Sequence, residues 1–126
     1  MKKKMKHQDY ETLVLNFCYD LLAKSNRVMG YYEISNYIEL TFTEDKYGYP
    51  PSYSCQRAFE MMCEHHPFIH VAIGSIYKDE HLFGLSAWDD EFVQKSILDN
   101  KIKQTKKHYE DLVLSKIRLY GNKQQN

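Results

Sequence analysis

Apolar residues near the start of the chain recur every three or four positions. This spacing places them on one side of a helix, which we predict from about Gln8 to Ser25. Asn26 and Gly30 then bracket a break in the pattern. The predicted apolar face consists of Tyr10, Leu13, Val14, Phe17, Cys18, Leu21 and Leu22. The chain therefore begins with an amphipathic helix.

A second, shorter helix is predicted from about Tyr32 to Phe42. Its predicted inner side consists of Ile34, Tyr37, Ile38 and Thr41. Residues 43–51 follow, and they contain Gly48 and the pair Pro50-Pro51. Because glycine and proline interrupt regular structure, we expect a rather long loop here.

The third helix is expected after the prolines, with Ser52 as its N-cap, and Pro67 stops it. The face that we expect to point inward consists of Cys55, Ala58, Phe59, Met62 and Cys63. The opposite face presents Tyr53, Arg57, Glu60, Met61 and Glu64, with Ser54 and Gln56 at its flanks. This helix therefore offers a mostly polar surface.

The pattern changes from helical to extended after Phe68. Ile69, Val71 and Ile73 alternate with other residues, residues 78–81 form a polar turn, and an apolar stretch returns from Leu82 to Trp88. Two short extended runs around a polar turn predict a β-hairpin.

A long helix is predicted at the end of the chain, capped by Asp89 or Asp90 and ended by Gly121. A helix of about 30 residues is roughly 45 Å long, more than a small domain can cover. We therefore expect its apolar seam to pair two copies of the chain. The seam consists of Leu98, Ile102, Thr105, Tyr109, Leu112 and Leu119, broadened by Val113, Ile117 and Tyr120.

The order of these elements is that of a winged helix-turn-helix protein, an α+β fold that is mostly helical. We expect a winged helix-turn-helix domain of three helices and a hairpin at residues 1–89, with residues 70–86 as the wing. A C-terminal dimerisation helix would occupy residues 90–120, and a polar, disordered tail residues 121–126.

Composition limits the environment of the protein. The chain has 126 residues, 43% hydrophobic, which suffices for one stable core. No apolar run approaches the roughly 18 residues of a membrane span. The basic start is followed by polar residues, so we expect no secretory signal and a cytoplasmic location.

Positive and negative residues are unevenly distributed, although the net charge is zero. Residues 1–30 hold six basic and three acidic residues, residues 31–90 hold three and ten, and residues 91–126 hold eight and four. An acidic middle favours a protein partner over a nucleic acid.

Candidate chemistry is sparse. Three cysteines without CxxC spacing argue against a zinc ribbon, and Cys55 and Cys63 share the predicted inward face, so we interpret them as packed thiols. We expect neither a bound metal nor a cofactor. A glycine-rich phosphate loop, an HExxH motif and a recognisable nucleophile motif are all missing, so we do not expect an enzyme.

Residues 51–67 read PSYSCQRAFEMMCEHHP. This string resembles the recognition-helix region of small winged-helix proteins encoded by crenarchaeal viruses, notably the fuselloviruses of Sulfolobus. The positions that match are Tyr53, Gln56, Arg57, Ala58, Cys63, Glu64, His66 and Pro67. The resemblance implies a DNA-binding transcriptional regulator of viral or cellular origin.

In that interpretation the third helix, about residues 52–66, lies in the major groove of double-stranded DNA. Arg57 would pair with guanine and Gln56 with adenine, while Ser52 and Tyr53 would hold phosphate. Lys78 on the wing would contact phosphate. The predicted DNA-binding residues are Ser52, Tyr53, Ser54, Gln56, Arg57 and Lys78. A dimer would then bind a palindromic or repeated site.

Two alternatives stay open at this point. The acidic middle also suits an adaptor that binds a protein, such as the transcription or replication machinery of a host. The resemblance also implies a hyperthermophilic source, in which intracellular disulfides occur. Cys18 would then be able to pair with Cys55 or Cys63, because the first and third helices pack together in this fold.

Overall fold

The protein is a mostly helical α+β chain. The structure, a computed structural model, describes the backbone of residues 5–124, and the side chains among them except 79, 102–105, 107–109 and 118–124. Its elements in chain order are α1 (His7–Ser25), β1 (Met29–Gly30), α2 (Tyr31–Thr41), α3 (Glu44–Tyr47), α4 (Pro51–Cys63), β2 (Ile69–Ile73), a 3₁₀ turn (Lys78–Glu80), β3 (Leu82–Leu85) and α5 (Asp90–Gln124). Two compact units result, Met1–Val93 and Gln94–Asn126.

Helix α1 forms because its apolar residues make one stripe, as the sequence predicts. The buried residues of this stripe are Tyr10, Val14, Cys18 and Leu22. The helix ends at Asn26, which adopts the left-handed conformation at φ 53° and donates its N–H to the carbonyl of Leu22 at 2.9 Å. Asparagine tolerates this conformation better than most residues, so its position fixes the end of the helix.

Helix α2 confirms the predicted element but not its whole inner side. Ile34 and Ile38 are buried, whereas Tyr37 is 46% exposed and Thr41 is also exposed. Ser35 is buried in their place. Successive helical residues are about 100° apart, so an arc centred on Ile34, Ser35 and Ile38 leaves Tyr37 toward the solvent.

Residues 43–51 are not wholly a loop, contrary to the prediction. Glu44–Tyr47 forms the single helical turn α3, and Gly48 ends it with a φ of 85° that only glycine adopts readily. Tyr49, which follows, is almost fully buried. The glycine therefore turns the chain back so that this tyrosine reaches the core.

Helix α4 is capped by Pro50, two positions before the predicted cap Ser52, and it ends at Cys63, not near residue 66 as predicted. It is also rotated from the predicted orientation. Pro51 takes its first position, where a missing N–H costs nothing, so Ser52 is not the N-cap. Its buried residues are Ser54, Cys55, Ala58, Met61 and Met62. Cys63 is exposed and Phe59 only half-buried, because both lie on the flank of this buried arc. The prediction that Cys63 packs inward is therefore wrong.

The sheet has three antiparallel strands in the order β1-β3-β2. The predicted hairpin is confirmed, with Ile69 opposite Leu85 and Val71 opposite Phe83, and an irregularity between Val71 and Ile73. Strand β1, which pairs Met29 with Phe83, was not predicted because two residues carry no periodic signal. Strand β3 is buried along its whole length because it is the central strand.

Helix α5 starts where the sequence predicts and ends later. The Asp89 carboxylate accepts the N–H of Phe92 at 2.7 Å, which confirms Asp89 as the cap. The helix runs through Gly121 to Gln124, so the prediction that Gly121 ends it is wrong. Glycine weakens a helix without having to stop it. Part of the predicted tail is therefore helical, and residues 125 and 126 lie outside the described part.

The described part of the α5 seam is open to solvent. Leu98 is 57% and Leu112 46% exposed. Val113 and Ile117, which broaden the predicted seam, are also exposed. The side chains of the remaining predicted seam residues, Ile102, Thr105, Tyr109, Leu119 and Tyr120, lie outside the described residues. Among the helices that the structure describes, none has both the length and the apolar composition that crossing a bilayer requires.

Candidate nucleic-acid interface

The exposed face of α4 brings together most of the predicted DNA-binding residues. Ser52, Tyr53, Gln56 and Arg57 line one open concavity together with Glu60. They meet there because α4 begins at the two prolines and turns its other face, from Cys55 to Met62, into the core. Two of the six predicted DNA-binding residues, Ser54 and Lys78, do not line this concavity.

Ser54 is not available to a ligand, and its prediction as a DNA-binding residue is wrong. Its relative exposure is 0%, and its hydroxyl shares a hydrogen bond with the hydroxyl of Tyr10 in α1. The Ser54 hydroxyl also lies 3.3 Å from the carbonyl oxygen of Pro50. Two helical positions after Ser52, the side chain points to the opposite side of α4, where it ties α4 to α1.

A stack of tyrosines positions Tyr53. The ring of Tyr10 stacks on Tyr49 with centroids 4.2 Å apart, and Tyr49 stacks on Tyr53 at 5.2 Å. The Tyr53 hydroxyl lies 3.0 Å from Nδ1 of His7. Since stacked aromatic rings resist sideways movement, the core fixes the start of α4 through this stack.

The start of α4 has few backbone donors to offer a phosphate. Pro50 is the N-cap and Pro51 the first helical residue, and neither has an N–H. The first donors are therefore the N–H groups of Ser52 and Tyr53, since Ser54 already donates its N–H to the carbonyl of Pro50 at 3.2 Å. At the start of α4, the backbone N–H groups that could bind a phosphate are therefore those of Ser52 and Tyr53.

Five side chains form a continuous polar chain across the surface, from α1 over α4 to the turn between β2 and β3. Arg57 donates from Nε to Glu11 at 2.9 Å and from Nη1 to Glu60 at 3.1 Å. Gln56 donates from Nε2 to the other oxygen of Glu60 at 3.0 Å, and Lys78 donates to Oε1 of Gln56. We refer to Glu11, Arg57, Glu60, Gln56 and Lys78 as the polar chain.

The polar chain carries two positive and two negative charges that stabilise one another. Hydrogen bonds to Glu11 and then to Glu60 raise the pKa of Arg57 further above its already high value. Hydrogen bonds from Gln56 and Arg57 lower the pKa of Glu60. An approaching phosphate therefore meets a surface on which positive and negative charges are equal in number. Arg57 already has carboxylate partners there.

Lys78 is folded back onto the helix. Its ammonium group lies 5.2 Å from the ring centre of Tyr31 and 4.9 Å from that of Phe59, within the range of cation–π attraction. The side chain is half-buried. A contact to phosphate, as the sequence predicts, would require this side chain to leave both rings and Gln56.

The three cysteines are free. Cys18 and Cys55 are buried, and the Cys55 thiol donates to the carbonyl of Ser35 at 3.6 Å. Burial raises the pKa of Cys18 to about 12 and also raises the pKa of Cys55. Both thiols therefore stay protonated at neutral pH. The disulfides considered from the sequence, Cys18 with Cys55 or Cys63, are not formed in this structure.

Metal-ligating residues do not gather within the described part of the chain, where no group of three or more His, Cys, Asp or Glu side chains is placed to hold an ion. The His66 ring instead accepts hydrogen bonds from the backbone. Its Nδ1 accepts the N–H groups of Phe68 and Ile69, each at 3.1 Å. Burial lowers the pKa of His66, which favours the neutral ring that these bonds require.

The amino-acid sequence does not reveal the partners of the predicted DNA-binding residues. Glu11 lies 46 positions before Arg57, and His7 lies 46 positions before Tyr53. Nothing in the local pattern connects them, because polar residues on a helix surface carry no information about their neighbours in space. The apolar stripe of α1 predicts only which side of this helix is buried, and Glu11 lies next to that side.

Comparison with known proteins adds no relative. No protein-family model, curated protein or solved structure matches the chain. Function is therefore inferred from the geometry of α4 and its surroundings.

Proposed function

We propose that the protein is a winged helix-turn-helix regulator that binds double-stranded DNA with α4 and acts without catalysis. The order of helices and strands, with β1 beside β3 and β3 beside β2, supports this fold. In the proposed winged-helix arrangement, α4 enters the major groove of DNA and the β2–β3 hairpin is the wing. DNA binding of this kind would suit a transcription regulator, which is also what the resemblance to crenarchaeal viral proteins implies.

One observation carries the proposal: Gln56 and Arg57 stand side by side on the exposed face of α4. Glutamine and arginine are the side chains that pair in two places with adenine and guanine. The two hydrogen bonds of Arg57 use two of its five N–H donors, so the guanidinium retains donors for a base. Ser52 and Tyr53 lie one turn earlier, where the backbone of a DNA strand would pass.

We further propose that two chains join through α5. Its described part exposes Leu98, Leu112, Val113, Leu114 and Ile117. A 35-residue helix is roughly 50 Å long, so a second α5 covers far more of this surface than a compact globular partner would. A dimer of this kind would bind two half-sites on one face of the duplex.

The decisive experiment is selection of binding sites from random duplex DNA by the full chain, followed by affinity measurements. Arg57→Ala should lose about 1–3 kcal/mol on the selected site and relax the preference at one base pair. Arg27→Ala is the matched control, because Arg27 is also an arginine held by a carboxylate, Glu33, with a 2.8 Å contact. It should bind like the parent. Equal binding by Arg57→Ala would exclude α4 as the reading helix.

A protein adaptor is the second candidate, and the outer face of α2 favours it. Tyr32, Tyr37 and Leu40 are exposed there beside Glu39. Apolar side chains next to an acidic residue suit a basic, partly apolar protein surface, such as part of a host transcription or replication complex. Failure to enrich any DNA motif, together with cross-linking of a protein through Tyr37, would favour the adaptor.

A further inference from the structure

The side-chain amide of Gln56 is held at both ends. Its Oε1 accepts a hydrogen bond from the Lys78 ammonium group, and its Nε2 donates to Glu60 at 3.0 Å. An ammonium group can only donate and a carboxylate can only accept. The amide therefore has one possible orientation, with Oε1 toward Lys78 and Nε2 toward Glu60.

The two groups that hold Gln56 are themselves fixed. Lys78 lies against the rings of Tyr31 and Phe59, at 5.2 and 4.9 Å from their centres. Glu60 receives a second hydrogen bond from Nη1 of Arg57 at 3.1 Å. The orientation of the amide thus depends on the hairpin turn on one side and on α4 itself on the other.

This arrangement leaves one acceptor and one donor of Gln56 unused. A carbonyl oxygen has two lone pairs and an amide nitrogen carries two hydrogens, and one of each is taken up by Lys78 and Glu60. Adenine presents an N6–H donor beside its N7 acceptor in the major groove. A glutamine that already has its remaining lone pair and N–H in a fixed order loses less side-chain entropy on pairing with that edge.

We infer that Lys78 and Glu60 are positioning residues that set Gln56 to select adenine, so that the wing contributes to base specificity without touching DNA. The inference rests on the proposed function. Lys78 is then not a phosphate contact. A positioning lysine changes which base is preferred, whereas a phosphate contact changes the affinity for every sequence.

The test uses the full chain and the selected duplex, with each base tried at every position. Gln56→Ala should abolish the preference for adenine at one position, a loss of roughly 5- to 150-fold in discrimination. Lys78→Met should weaken the same preference, and Lys78→Arg, which retains a donor, should restore it. The salt dependence of binding should stay unchanged in Lys78→Met, whereas loss of a phosphate contact would lower its slope by about one.

Lys46→Met is the matched control, because Lys46 also lies over a tyrosine ring, 5.3 Å from the centre of Tyr47, but belongs to α3 and not to the polar chain. It should leave the adenine preference intact. A direct readout of positioning is the NMR signal of the Gln56 side-chain amide in the free protein. Its hydrogen exchange should accelerate in Lys78→Met and stay unchanged in Lys46→Met.

The outcomes separate this inference from the proposed function. If the parent selects a motif and needs Arg57, but Lys78→Met keeps the adenine preference or lowers the salt slope, the positioning role is wrong and DNA binding stands. The inference is also overturned if the parent selects a motif and Gln56→Ala keeps the same preference for adenine at every position. If no motif is enriched, both the proposed function and the inference that rests on it fail.

Discussion

Ser54 contributes to stability through a buried hydrogen bond with Tyr10, beside its contact with the carbonyl oxygen of Pro50. Ser54→Ala should lower the free energy of unfolding by about 1–3 kcal/mol, because it leaves the Tyr10 hydroxyl buried without this partner. Denaturant unfolding measures the change. Ser52→Ala, two positions away and exposed, should stay within about 0.5 kcal/mol of the parent.

The double variant Tyr10→Phe, Ser54→Ala distinguishes this hydrogen bond from simple loss of packing. Removing both hydroxyls leaves no polar group unsatisfied, so it should be more stable than Ser54→Ala alone. Strictly additive losses from the two substitutions would show that the hydroxyls are not coupled.

The three thiols should differ in reactivity, because Cys18 and Cys55 are buried and Cys63 is exposed. A thiol reagent should modify one cysteine per native chain and three after denaturation. The reaction of Cys63 should be slow near neutral pH, because partial burial raises its pKa although Lys78 lowers it. Cys63→Ser should leave no thiol that reacts in the native chain, and any modification of that native variant would contradict the burial of Cys18 and Cys55.

His66 should make the stability depend on pH. Burial lowers its pKa below the ordinary value of 6.5, so the unfolded chain takes up a proton at a higher pH than the folded one. The contribution is therefore complete above pH 6.5 and is lost as the pH falls through the lower pKa of the folded state. Melting temperatures between pH 7 and about 5 should fall less in His66→Gln than in the parent.

The neighbouring His65 provides the control for this pH dependence, since it is exposed. His65→Gln should keep the fall in melting temperature that the parent shows. An equal fall in His66→Gln would assign the acid sensitivity to other groups.

At the scale of elements, α5 should determine the oligomeric state. Leu114 and Ile117 are both exposed and lie three positions apart, on neighbouring parts of one helical face. If they meet a second chain, replacing both with lysine should convert a dimer into a monomer in equilibrium sedimentation. Ser115→Lys, at an exposed position between them, should leave the dimer intact. A monomeric parent protein would remove the argument for paired half-sites.

Elements with a repeating apolar pattern could be predicted, and those without one could not. Helix α1 and the hairpin follow from spacings of three to four and of two residues, which burial on one side requires. The turn α3 and the strand β1 have four and two residues, too few to show a period. The rotation of α4 was missed because Ser54 satisfies its hydroxyl inside the core, and such pairing is invisible in the sequence.

At the scale of the whole molecule, ion pairs join the basic first segment of the chain to its acidic middle. Arg27, from the basic first segment, binds Glu33 of the acidic middle. Arg57, from the middle, binds Glu11 of the first segment. Segment totals ignore such pairing across the fold. The sequence therefore identified Gln56 and Arg57 as candidate reading residues, but the carboxylates and the lysine that hold them became visible only in three dimensions.

Trp88 provides the protein with an internal optical probe. It is the single tryptophan of the chain, half-buried after β3, with its ring 5.2 Å from that of Phe92 in the first turn of α5. Gly84 makes room for it, because a methyl group there would lie 3.2 Å from the indole. Excited at wavelengths that tyrosine does not absorb, its fluorescence should report on the connection between the sheet and the start of α5. Adding the duplex that the proposed function requires would then show whether binding disturbs that junction.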